Sequence, residues 1–169
     1  MKLTLDRMCI QTNKFCSSCE KKFENGEVGE IDIQVGNAIL KIAKNMKFIN
    51  EITLLKIAQT KSLNILIVKP NDVTKLIKAG QHLEKELKLI DHKEWLYLEK
   101  TNNSKKLIED LLRPVNPVSI SSIMLPPEGN VELKIQINEI DKDNLALQAH
   151  EISEITKILL NKQSHYSFV

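Results

Sequence analysis

The six residues Leu63-Asn64-Ile65-Leu66-Ile67-Val68 constrain this chain more than any other segment. Apart from Asn64 they are apolar on both pleat faces, and a strand of that kind belongs in the centre of a covered sheet. Lys69-Pro70-Asn71-Asp72 ends it, and Asp72 is expected to cap a helix running through Lys78. Gly80 then turns the chain into a second helix, whose Leu83, Leu87 and Ile90 share a face. Trp95-Leu96-Tyr97-Leu98 reads as the next strand. Strand, short helix, glycine turn, longer helix and strand thus follow one another between Asn64 and Lys100.

Elements on either side can be read the same way. Ile31, Val35, Ala38, Ile39, Ile42 and Met46 recur at helical spacing, with Gly36 the weak point, and a strand near Ile52–Ala58 follows. Ser104 is expected to cap a helix carrying Leu107, Ile108, Leu111 and Leu112, which Pro114 stops. Beyond Pro117, Val118–Leu125 and Val131–Ile137 flank Pro126-Pro127-Glu128-Gly129-Asn130 as a hairpin, and Val131, Leu133, Ile135 and Ile137 alternate with polar residues. Ile152, Ile155 and Leu159 line a further helix, and Tyr166–Val169 is placed to close the sheet. The expected organisation is a cysteine-bearing leader over 1–29, a first α/β domain over 30–113, and a second α/β module over 114–169. A length of 169 residues suits one domain or two small ones.

The net charge of +2 is too small to demand a polyanionic partner, but its distribution is uneven. Residues 1–113 hold 20 basic against 15 acidic side chains, and 114–169 hold 4 against 7. Eight lysines fall between 41 and 78, facing only Glu51 and Asp72, so a polyanion is expected to meet the first part of the chain. The bland alternative for each lysine is a solvated surface. No apolar run approaches the length of a membrane span, and the first residues lack the apolar stretch of a secretory signal. Three cysteines cannot all pair within one chain, which argues for a reducing, cytoplasmic setting.

Those cysteines follow the spacing Cys9-x6-Cys16-x2-Cys19, which brings three thiolates within reach of one metal ion, zinc being the natural choice. A structural zinc site wants four ligands, and the fourth is open: a histidine, an acidic side chain or another subunit. The competing reading is a set of ordinary reduced cysteines. No βαβ unit surrounds Cys16 and Cys19, which disfavours a thioredoxin-like redox pair. Trp95 and Tyr97 share one pleat face, where base stacking competes with the commoner role of core packing. His82, His92, His150 and His165 have no metal spacing among themselves. No phosphate loop, dinucleotide fingerprint or nucleophile elbow is present, so no enzyme activity is expected.

The order helix, strand, strand, helix, helix, strand over roughly 30–100, the cysteine pattern and the segment Glu109-Asp110-Leu111-Leu112-Arg113-Pro114 together resemble archaeal KH-domain proteins described as NusA-like transcription factors. The resemblance implies an α/β (α+β) fold, with a type II KH-like domain and a second KH-like module. It implies binding of single-stranded RNA with low specificity, in transcription elongation or termination. By that likeness Lys75, Lys78, Gly80 and Gln81 line the phosphate path, with Lys41, Lys44 and Lys47 adding attraction. The family's Gly-x-x-Gly loop reads Ile77-Lys78-Ala79-Gly80 here, with a branched side chain at the first glycine. The second module has no such loop. That departure supports a rival expectation: an interaction module docking on RNA polymerase, a ribosome or another transcription or translation factor.

Overall fold

The apolar run Leu63–Val68 is a strand over its whole length and is buried at every residue. In the computed structural model, which describes residues 1–125 and 130–169, the chain divides into two units, Met1–Lys100 and Thr101–Val169. Both are mixed α/β, and each carries one three-stranded sheet.

Unit 1 begins with two short helices, α1 (Arg7–Thr12) and α2 (Ser17–Glu24), followed by α3 (Glu30–Ala43) and a 3-10 turn over Lys47–Glu51. Then come β1 (Leu54–Gln59), β2 (Leu63–Val68), α4 (Val73–Ile90) and β3 (Glu94–Glu99). β2 is central, antiparallel to β1 and parallel to β3, with Leu63 opposite Glu94 and Val68 opposite Glu99. The helical spacing read from Ile31 holds through Ile42; α3 ends at Ala43, and Met46 lies beyond it in extended backbone ahead of the 3-10 turn. Val35, Ala38, Ile39 and Ile42 are buried on α3, and Val35, Ile39 and Ile42 share one core with Leu66, Val68, Leu83 and Leu87.

Residues 1–29 are part of this unit and not a detached leader. Cys9, Ile10 and Cys19 belong to the same core, and Lys2 pairs with the chain at Thr53 through bonds of 3.0 Å to Ile52 and 2.9 Å from Leu54. Gly36 accounts for how α1 approaches α3: a Cβ there would lie 2.7 Å from Ile10 Cδ1. Helix propensity is given up for close packing.

Asp72 stands at the N-cap of α4, as expected, but its side chain does not do the capping; its backbone is already helical at φ −88°, ψ −17°. Its carboxylate instead accepts from the Thr53 N–H at 2.9 Å and from Lys75 Nζ at 3.0 Å. A buried carboxylate between two segments finds stronger donors there than in the local turn.

Asp32, also buried, receives the Gly29 N–H at 2.8 Å in the first turn of α3. Burial pushes its carboxyl above the ordinary range despite that bond. The folded chain therefore holds this proton more tightly than the unfolded chain. Its contribution to stability falls as pH rises through the ordinary aspartate range to the raised folded value, and stays lower above it. Asp32→Asn is expected to remove that slope, read as a parent-minus-variant difference in denaturant midpoint that changes only across this window. A difference independent of pH would contradict the shift.

Unit 2 runs α5 (Ser104–Leu112), β4 (Ser119–Leu125), β5 (Asn130–Ile137), a 3-10 turn over Glu139–Asn144, α6 (Ala149–Leu160) and β6 (Ser164–Phe168). β5 is antiparallel to β4 and parallel to β6, so its sheet repeats the connectivity of unit 1. Leu133, Ile135 and Ile137 are buried as their alternation predicts. Residues 126–129 of the expected hairpin turn lie outside the described residues.

The boundary expected at Pro114 falls instead after Lys100. The buried face of α5, Leu107, Ile108, Leu111 and Leu112, belongs to a helix packed against α6. Pro114 ends that helix without ending the unit. The cap is Asn103, whose Oδ1 accepts from Lys105 and Lys106 at 3.0 and 3.3 Å; Ser104 is the first helical residue.

Candidate functional site

The glycine turn is a sharp bend inside α4. Gly80 sits at φ 47°, ψ −131°, between two helical stretches. Leu76, Ala79 and Leu83 anchor the bend to the core, each about 1% exposed. Their spacing leaves Ile77, Lys78 and Gln81 outward, with Ile77 61% exposed. Nothing lies within 4 Å of where a Cβ on Gly80 would sit. The space above Gly80 is open, and Lys78 is exposed beside the bend.

The other lysines named from the sequence are distributed differently. Lys75 is held by Asp72 at 3.0 Å and Glu51 at 3.4 Å, and the Asp72 hydrogen bond raises its pKa. Lys41 pairs with Glu86 at 2.6 Å, across from α3 to the second half of α4. Both charges are already met by carboxylates. Lys44 and Lys47 are exposed at the end of α3 and in the turn after it. A groove of about 330 Å³ between α3 and α4 is lined by Lys41, Asn45, Met46, His82, Lys85 and Glu86. Lys85 was absent from the sequence reading, although it lies one helical turn beyond Gln81 and shares its exposure.

Trp95 and Tyr97 are half-buried against the unit 1 core. Trp95 Nε1 donates to the Asp91 carbonyl at 3.3 Å, and burial pushes the Tyr97 phenol up to about 12, with the Glu84 charge adding to it. Core packing, the commoner role, is the one observed.

The three cysteines converge. Cys9 lies in the first turn of α1, Cys16 at the N-cap of α2 and Cys19 in its first turn, and their sulfurs lie within 4.8 Å of one another. Cys9 and Cys19 are buried and Cys16 is exposed; none forms a disulfide. Phe15 packs on Phe23 with ring centroids 4.8 Å apart, fixing the entry into α2. The Cys16 N–H donates to Cys9 Sγ at 3.3 Å, and the Asp6 N–H to Cys19 Sγ at 3.4 Å.

That Cys16 N–H lowers the Cys9 thiol, but burial and hydrogen bonds with the Cys16 and Cys19 thiols outweigh it and push Cys9 up to about 11. Cys16 moves down, held by the Cys19 N–H and then by the thiols of Cys19 and Cys9. Cys16 therefore ionises before Cys9. A tetrahedral zinc site with arms of about 2.3 Å has sulfur–sulfur edges of about 3.8 Å. The cluster needs only a small contraction to reach it, so the donor set fits a soft divalent ion.

No family model and no curated protein matches the sequence. Among solved structures, the crystal structure of APE1850 aligns with a TM-score of 0.58 at 15% identity, over 79% of this chain and 96% of that one. The likeness is one of fold. Among the described residues, no helix is long and apolar enough to cross a membrane.

Proposed function

We propose that the protein binds single-stranded RNA at the Gly80 bend, as a KH-type, NusA-like factor acting in transcription in the cytoplasm and carrying no enzyme activity. The observation that carries this reading is the bend itself: a positive-φ glycine with open space above it and Lys78 exposed alongside. Backbone N–H groups beside such a glycine can approach a phosphodiester without a Cβ in the way. The helix–strand–strand–helix–bend–helix–strand order supports the same reading. Stacking by Trp95 and Tyr97 takes no part in it, so recognition rests on the backbone path and is low in sequence preference.

Lys78→Ala is expected to lower the salt dependence of single-stranded RNA binding by about 0.7 in the log–log slope, the contribution of one phosphate contact on a single strand. Lys75→Ala is expected to change the slope less, because Asp72 and Glu51 already meet that charge. Identical binding by the parent and Lys78→Ala at every salt concentration would remove the assignment.

A second reading draws on Ile77. A branched apolar side chain 61% exposed at the rim of the bend suits contact with a protein such as RNA polymerase or another factor. It predicts RNA affinity no better than background and a partner retained after RNase treatment.

We also propose that Cys9, Cys16 and Cys19 hold zinc, which would tie α1 to α2. Metal analysis of protein kept reduced is expected to return about one zinc per chain. A stoichiometry near zero would dismiss it.

A further inference from the structure

We infer that the Asp6 carboxylate is the fourth ligand of the cysteine site. The inference rests on the zinc reading above and concerns how that site is closed.

The two helices that carry the cysteines begin alike. α1 has Asp6 at its N-cap and Cys9 three residues on; α2 has Cys16 at its N-cap and Cys19 three residues on. The backbone contacts are reciprocal as well. The N–H of each N-cap residue donates to the sulfur in the first turn of the other helix: Asp6 to Cys19 at 3.4 Å, Cys16 to Cys9 at 3.3 Å. Asp6 therefore occupies, in the first half of the site, the place that Cys16 occupies in the second.

Its chemistry suits that place. Aspartate is an ordinary zinc ligand. Among the described residues no histidine or carboxylate, Asp6 included, lies as close to the three sulfurs as they lie to one another, so closing the site requires the Asp6 carboxylate to turn toward them. Oδ1 of Asp6 accepts from the Met8 N–H at 2.8 Å, a cap bond that a turn toward the ion would give up or share, and the exposure of Asp6 leaves room for that turn. A cavity of about 340 Å³ lies beside the cluster, lined by Lys2, Asp6, Arg7, Cys16, Cys19 and Lys22. Three thiolates, one carboxylate and a divalent ion leave a double negative charge, and Lys2, Arg7 and Lys22 line the space next to it.

The test is cobalt(II) titration of the reduced full-length chain, followed by zinc competition. Asp6→Asn keeps a good helix cap but removes the anionic ligand. It is expected to weaken cobalt and zinc binding by at least about tenfold, the lower bound for losing even an outer-shell partner. Asp6→Cys is expected to raise the sulfur-to-cobalt charge-transfer absorption by about a third, four thiolates replacing three. Equal affinity and equal spectra for the parent and Asp6→Asn would overturn the Asp6 assignment while leaving the zinc site standing. Absence of cobalt binding in parent and variants alike would overturn the zinc reading and this one with it.

Discussion

Gly80→Ala is expected to destabilise unit 1 by about 1–3 kcal/mol, the usual cost of forcing a side chain into a sparsely populated backbone region. The cause is not crowding, since nothing lies within 4 Å of the new Cβ. It is the conformation: φ 47° with ψ −131° is ground that glycine occupies readily and alanine does not. The chain would relieve the strain by straightening or unwinding α4 around residue 80. That would move Lys78 and the neighbouring N–H groups relative to Leu76 and Leu83, which anchor the bend. Urea denaturation should show a lower midpoint at an unchanged slope. Binding of single-stranded RNA should weaken even where the variant is fully folded. An unchanged midpoint would mean that the bend does not require glycine.

Leu87→Ala should cost more, about 2–5 kcal/mol, because it empties a fully buried site in the same helix. Leu87 packs in the core formed by α3, β2 and α4, among Ile39, Leu66 and Leu83. That loss is a large share of the net stability of a small domain. The pair of substitutions separates fold from function. Leu87→Ala weakens packing from inside and leaves the outward face at Lys78 and Gln81 alone, so RNA affinity per folded molecule should hold. A loss below about 1 kcal/mol would mean that the core around Leu87 repacks easily.

Much of the fold was legible because strong local signals agreed with the tertiary outcome. Leu63–Val68 is apolar enough to be central, and Val131–Ile137 alternates cleanly enough to show which face is buried. Gly80 marks a break in helical backbone because it alone in that stretch can adopt it without strain. The misreadings share one feature: a local signal met a stronger distant partner. Asp72 holds the N-cap position expected of it, but the Thr53 N–H takes its carboxylate in place of a cap bond. Pro114 looked like a domain edge, but the apolar face of α5 had α6 to pack against.

The candidate sites divide along the same line. Spacing alone named Cys9, Cys16 and Cys19, because cysteines a few residues apart at two helix starts have little freedom to avoid one another. The resemblance puts Lys75 on the phosphate path and Lys41 beside it, and folding sets carboxylates against both: Glu86 against Lys41, and Asp72 with Glu51 against Lys75. By itself the sequence determined the strand order of unit 1, the position of the bend and the three clustered thiols, all outcomes of periodicity and backbone freedom within a short span. Only the tertiary structure decided that residues 1–29 join the core, that α5 belongs to unit 2, and that Lys41 and Lys75 meet carboxylates. Those outcomes depend on contacts between residues far apart in the chain, where burial and charge pairing outweigh any local preference.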